Sequence, residues 1–190
     1  QVRLDLYKET ALMYVMENGV ISTRVVSAMD IAAALTRAIP FSSGLLPDGA
    51  LWYQYRNGAA RVALWRPPKV WRVALQLEIA KPPKRFNLPM PGLVFVCSPG
   101  EPPWVYAARA RPVTPEDTLF HAPLFNVFGD GRSCPGTHKY PGIIQEIPES
   151  FFASFFSNAG DAQNRSRKYP NDIFGLWEEL DGKRRYPASD

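Results

Sequence analysis

Nineteen prolines are scattered along these 190 residues, and no other feature limits the fold as much. Each removes a backbone donor and fixes φ, so long helices and wide unbroken sheets are disfavoured. The prolines do not gather in one tail, and 46% of residues are hydrophobic against 21% charged. That combination reads as a globular, loop-rich domain of short strands rather than a disordered chain. The length suits one domain, or one with an appendage, around a real core.

The net charge is a mild +4, and the basic residues concentrate in "KPPKR", "RSRK" and "GKRR". Such clusters read first as solvated loop charges, and second as docking points for an acidic partner or nucleic acid. Two cysteines, Cys97 and Cys134, make no disulfide framework, which points to a reducing, cytoplasmic home. No apolar run approaches the roughly 20 residues a membrane span needs. No basic-then-apolar signal segment opens the chain either.

Residues 1–40 read as a hairpin and a helix. Asn18-Gly19 between two β-prone runs is a turn signal. Ser27 then caps "AMDIAAALTRAI", with Asp30 in its first turn, and Pro40 ends it. A second hairpin is expected around Asn57-Gly58, followed by a half-buried strand in which Leu75, Leu77 and Ile79 alternate. "KPPKRFNLPMPG" reads as a proline-rich connector. "LVFVC" and "WVYAARA" form a third antiparallel pair, with Cys97 a buried, inert thiol. "IPESFFASFFSN" reads as one helix carrying Phe151, Phe152, Phe155 and Phe156 as core anchors. A mobile loop and a short helix, "IFGLWEEL", complete residues 161–190. The layout is α+β, an antiparallel meander packed against helices.

Between them, residues 112–142 form an irregular stretch of a length that is usually functional. It contains "NVFGDGRSC". Asn126 and Cys134 are eight residues apart, and Gly129 and Gly131 allow the chain to fold back between them. An exposed thiolate can attack a carbonyl and give a thioester still reactive toward amines. A nearby Asn amide suits a developing oxyanion. The bland alternatives are a packed thiol and an asparagine capping a turn. His121 reads first as a structural hydrogen-bonding residue. His138, four after Cys134, is too little for a zinc site without two more ligands. Neither cofactor nor metal is expected. The five tryptophans, interleaved with basic residues, read as strand packing rather than a nucleic-acid surface.

The same nine residues resemble the active-site segment of ubiquitin-conjugating enzymes, in which Asn, an aliphatic, an aromatic, an Asp-Gly turn and a cysteine follow in order. With "SSGLLPDGALWYQY", "LPMPGLVFV", "TLFHAPLFNVFGDGRSCPG" and "FFASFF", the chain is similar over residues 40–158 to a prokaryotic conjugating-enzyme-like family, PRTRC system protein B. Leu124 and Phe125 stand where the eukaryotic motif has His and Pro, with His121 and Pro123 just upstream. Pro135 replaces the usual leucine after the cysteine.

The resemblance implies a ubiquitin-conjugating-enzyme-like fold over 41–160, with residues 1–40 as an N-terminal extension. It implies a transferase whose Cys134 takes a bacterial ubiquitin-like protein from an activating enzyme and passes it to an amine on a target. Asn126 would stabilise the oxyanion or support the loop, Asp130 would orient the incoming amine, and His121 would support the site. Implied partners are the ubiquitin-like protein, an activating-enzyme homologue, the target and a metalloprotease of the JAB type encoded alongside. Two other readings stand beside this one. The first is a non-catalytic module of the same fold that binds the ubiquitin-like protein or the activating enzyme; the second is a nucleic-acid-binding protein of a plasmid cassette.

Overall fold

Asn18 and Gly19 both take positive φ, 51° and 81°, the combination that a two-residue hairpin loop requires. They join β2 (Thr10–Glu17) to β3 (Val20–Ser27) in the computed structural model, which describes every residue except 9, 39–44, 57–58, 79, 135 and 158–162. A third strand, β1 (Val2–Leu6), pairs with β2 from Val2↔Val15 to Leu6↔Ala11. At the end of β3 the Ser27 hydroxyl oxygen accepts from the Asp30 N–H at 3.0 Å. The same hydroxyl donates to the Asp30 carboxylate at 2.7 Å, a reciprocal cap that starts α1 (Ala28–Ala38). Pro40, the expected stop, lies outside the described residues. This sheet and helix belong to one compact unit, Gln1–Gly44, and the rest of the chain, Leu45–Asp190, forms a second.

In the second unit β4 (Ala50–Arg56) and β5 (Ala59–Arg66) pair antiparallel; the Asn57-Gly58 turn expected between them lies outside the described residues. β6 (Lys69–Leu75) and β7 (Lys84–Met90) follow, then β8 (Gly92–Cys97), β9 (Trp104–Ala108) and β10 (Phe120–His121). The chain ends with α2 (Ile147–Ala153), β11 (Phe155–Phe156) and α3 (Ile173–Leu180). One sheet has the order β10-β9-β8-β5-β4, the other β11-β6-β7. The strands therefore do not run as one continuous meander. β5 pairs with β8, and β6–β7 is set aside as a hairpin of its own. Pro67-Pro68 and Pro91 occupy two of the points where the chain changes sheets, where a missing N–H donor breaks no ladder.

Three local expectations need correcting. The "connector" is largely strand β7, whose Phe86, Leu88 and Met90 point inward; Pro89 is tolerated because β7 is an edge strand. β6 ends at Leu75, so Leu77 is exposed rather than alternating inward, and Ile79 is outside the described residues. The phenylalanine helix stops at Ala153. Ser154 turns its hydroxyl back to the Phe151 carbonyl at 2.7 Å, and Phe155–Phe156 becomes a strand parallel to β6. Phe151, Phe152 and Phe156 are core residues, but Phe155 is 61% exposed.

The core of this unit lies between the sheets and helices α2 and α3. Trp71 stacks on Phe152 with ring centres 3.9 Å apart. Trp177 of α3 is sealed against Phe86, Phe125 and Phe156. Its indole N–H donates to the Pro123 carbonyl at 3.0 Å, and this bond ties α3 to the irregular stretch. In the segment expected to be mobile, Arg165 and Ser166 are buried. Among the described residues no helix is long and apolar enough to cross a membrane.

Candidate active site around Cys134

The "NVFGDGRSC" segment folds into a tight hairpin. Val127 bridges Ser133, the Phe128 N–H donates to the Arg132 carbonyl at 2.8 Å, and the Gly131 N–H donates to the Phe128 carbonyl at 2.9 Å. Gly131 has φ 89°, and a Cβ there would sit 2.3–2.6 Å from the Tyr106 ring. Only glycine fits both the turn and this approach. The returning limb docks on β9. Arg132 bridges Trp104, the Val105 N–H donates to the Gly131 carbonyl at 2.7 Å, and the Ser133 N–H donates to the Pro103 carbonyl at 3.1 Å. Leu124, Phe125 and Val127 are buried at the other limb. The residues that replace His-Pro thus serve as apolar anchors.

This hairpin brings Asn126 and Cys134 together, with the Cys134 N–H donating to the Asn126 carbonyl at 2.6 Å. Asn126 has φ 58°, a left-handed conformation that asparagine tolerates better than most residues. Its side chain reaches away to β11. Oδ1 accepts from the Ser157 N–H at 3.0 Å and from the Ser157 hydroxyl at 3.1 Å; Nδ2 donates to the Phe155 carbonyl at 3.2 Å.

The Cys134 side chain is partly exposed, whereas Cys97 is fully buried. Burial pushes the Cys97 thiol up to about 12, despite the opposing Arg66. A thiol in that state is neutral and unreactive near neutral pH. Beside Cys134 lies Tyr140, which the sequence reading did not single out. Burial pushes its phenol up to about 12; the Ser133 side chain opposes this and Cys134 adds to it. Tyr140 is therefore a neutral phenol near neutral pH. His138 meets the Tyr140 ring edge-on at 4.8 Å, and its Nε2 pairs with the Ser150 hydroxyl at 2.8 Å.

Asp130 sits at the tip of the turn. One carboxylate oxygen accepts from the Arg132 N–H at 3.0 Å, the other from the Arg132 guanidinium at 2.6 Å. The Arg132 backbone N–H is the largest influence holding Asp130 below the usual carboxylate range. Its backbone carbonyl takes the Tyr106 hydroxyl at 2.6 Å. His121 is at some remove, on β10. The buried Arg165 guanidinium donates to His121 Nδ1 at 2.7 Å and to the Val127 carbonyl at 2.7 Å. Arginine has no acceptor, so Nδ1 is the accepting nitrogen. The histidine thus reaches the hairpin through Arg165, a residue hidden in the sequence within a basic run that reads as solvated. Tyr106 and Ser157 were likewise invisible, because each acts across a long sequence separation, whereas Tyr140 lies only six residues after Cys134 with no motif to mark it.

These contacts hold a partly exposed thiol at the end of a pinned hairpin, in an α+β unit with two sheets and α2 and α3 packed together. No curated protein and no solved structure matches the chain. The model of prokaryotic E2 family D matches residues 26–190, which takes in α1, both sheets of the second unit and the hairpin. With that share of its length covered, the chain belongs to prokaryotic E2 family D, a family related to ubiquitin-like conjugation.

Proposed function

We propose that the protein is a cysteine-dependent acyl transferase, with Cys134 accepting a bacterial ubiquitin-like protein from an activating enzyme. The observation that carries this reading is the contrast between the two thiols. Cys97 is sealed in the core, while Cys134 is accessible at a fixed point beside Asn126. The Cys134 thiolate attacks the carbonyl of the thioester joining modifier to activating enzyme. A carbon–sulfur bond forms, and the activating enzyme's thiolate leaves. An amine on the target then attacks the new thioester, forming an amide; Cys134 leaves as thiolate, and the amine proton passes to solvent or a base. No oxidation state changes.

Asn126 is assigned chiefly to loop support, since its Oδ1 and one Nδ2–H are committed to Ser157 and Phe155. Its other amide N–H is the group that would face an oxyanion. Asp130 fixes the turn through Arg132 and lies on the exposed rim, where it would meet an incoming amine. His121 supports the hairpin through Arg165. The partners on this reading are the modifier, its activating enzyme and an acceptor protein, with the metalloprotease of the JAB type that accompanies the first two in PRTRC-type clusters as a fourth.

The test mixes the protein with the neighbouring activating enzyme, the ubiquitin-like protein and ATP, and resolves the products on a non-reducing gel. The expected result is an adduct removed by thiol reductant, absent with Cys134→Ala and retained with Cys97→Ala. Co-elution without an adduct would instead make the protein a binding module.

A further inference from the structure

At the far end of β9 from Cys134, the second unit opens into a half-enclosed cleft of about 870 Å³, within the size range of small-molecule sites. The hairpin bearing Cys134 docks at Pro103, and the cleft is lined by Ala107 and Ala108. Five residues of strand separate them, about 16 Å at strand spacing. The cleft is a second site, joined to the Cys134 hairpin at one wall through His121 and Arg165, the latter of which also holds the Val127 carbonyl.

Its charge is one-sided. Among the described residues, Lys69, Arg109, Arg165, Arg167, Arg184 and Arg185 line it against one side-chain carboxylate, Asp190, and Lys69 also lies 3.7 Å from Glu149. That is an excess of five positive side chains among the described lining residues. Nor does Asp190 neutralise these arginines by side-chain contact. Its Oδ1 accepts from the Ser166 hydroxyl at 2.9 Å and from the Arg167 and Lys168 backbone N–H groups at 2.5 and 3.1 Å. Its Oδ2 takes the Tyr186 hydroxyl at 2.6 Å. Among the described residues, no ion pair involves Arg109, Arg167, Arg184 or Arg185. All four are exposed. Concentrating so much like charge in a concavity is unfavourable unless an anion is received there.

We propose that this cleft binds an organic di- or triphosphate. Four exposed arginines outside any ion pair among the described residues call for a polyanion rather than one carboxylate, and arginine forks match phosphate oxygens in bidentate fashion. The organic part has a place as well: Met90, Ala107, Leu119 and Phe120 form an apolar wall beside the arginines. The walls are the 89–92 turn, the β9–β10 edge and the 184–190 tail, an arrangement suited to a compact ligand.

The experiment is calorimetric titration of the full chain with ATP, adenosine, a short poly-glutamate peptide and a single-stranded oligothymidylate. A second set uses the Arg184→Ala/Arg185→Ala double variant, whose exposed side chains carry no structural ion pair. ATP should bind in the micromolar range and adenosine should not. The double variant should weaken ATP by about tenfold for each arginine removed, with an unchanged melting temperature. The proposal is overturned if ATP fails to bind at millimolar concentration, if adenosine binds equally well, or if the double variant leaves ATP affinity unchanged. Tighter binding of the peptide or of the oligonucleotide than of ATP would also overturn it, assigning the cleft to an acidic protein segment or to nucleic acid.

Discussion

The Cys134 N–H donates to the Asn126 carbonyl at 2.6 Å, while the Asn126 side chain is bonded to Phe155 of β11 and to Ser157 just after it. The thiol is therefore located from two directions. One is β9 and the Pro103 before it, through Gly131 and Ser133; the other is β11 and the Ser157 after it, through Asn126.

Removing the second hold should loosen the hairpin. Asn126→Ala deletes three side-chain hydrogen bonds and places an ordinary residue at φ 58°. A loss of about 1–3 kcal/mol is expected in urea denaturation. Asn126→Gly should recover the conformational part of that loss and none of the hydrogen bonding. Equal stability of the two variants would count against strain at this position.

The two glycines of the turn should respond differently. Gly131→Ala forces a Cβ into the Tyr106 ring at positive φ and should cost about 2 kcal/mol or more. Gly129 has open space around it, so Gly129→Ala should melt close to the parent temperature. Equal melting of both variants would mean that the hairpin does not dock on Tyr106.

Arg165 should matter more than the histidine it contacts. Arg165→Met leaves the Val127 carbonyl without its guanidinium donor in the buried limb of the hairpin, for an expected cost of about 3 kcal/mol. His121 is exposed, and His121→Ala should cost within about 1 kcal/mol. Chemical denaturation of the singles and the double would show a coupling between them, because they share the Nδ1 contact.

Alkylation should separate the cysteines. With iodoacetamide near pH 8, mass mapping should find the label on Cys134 while Cys97, buried and pushed up to about 12, stays unmodified until the protein unfolds.

Acid should expose one surface cluster. Glu179 accepts from the Lys168 ammonium at 2.6 Å, the Tyr169 hydroxyl at 2.6 Å and the Lys183 ammonium at 2.9 Å. These partners, Lys168 first, pull its carboxyl from 4.5 to about 2. A depressed carboxylate contributes stability that is full above its unfolded value and lost as pH falls toward the folded one. The loss should fall between about 4.5 and 2, and Glu179→Gln should flatten the stability profile in that window. An unchanged profile would remove Glu179 from the acid response.

Features that depend on a few neighbouring residues were legible in the sequence. Asn18-Gly19 turns the chain, Ser27 caps α1 through Asp30, and the Asn-to-Cys spacing closes a hairpin. Those set by distant partners were not. Nothing near Phe155 signals that it joins a strand some 80 residues earlier, since a run of four phenylalanines fits a helix equally well until Ser154 breaks it. Pro89 hid β7 because its tolerance depends on lying at a sheet edge, a fact of topology rather than of local sequence. Arg165 was hidden for the same reason. Its burial follows from His121 and Val127, about 40 residues away.

The central claim is that Cys134 carries the acyl group, and intact-mass measurement of a trapped adduct tests it most directly. Cys134→Ser should form an ester with the ubiquitin-like protein that survives thiol reductant, whereas the wild-type adduct is released. Fragment masses should place the linkage at residue 134. An adduct mapped to Cys97, or no adduct on either form in the presence of a charged activating enzyme, would contradict the account.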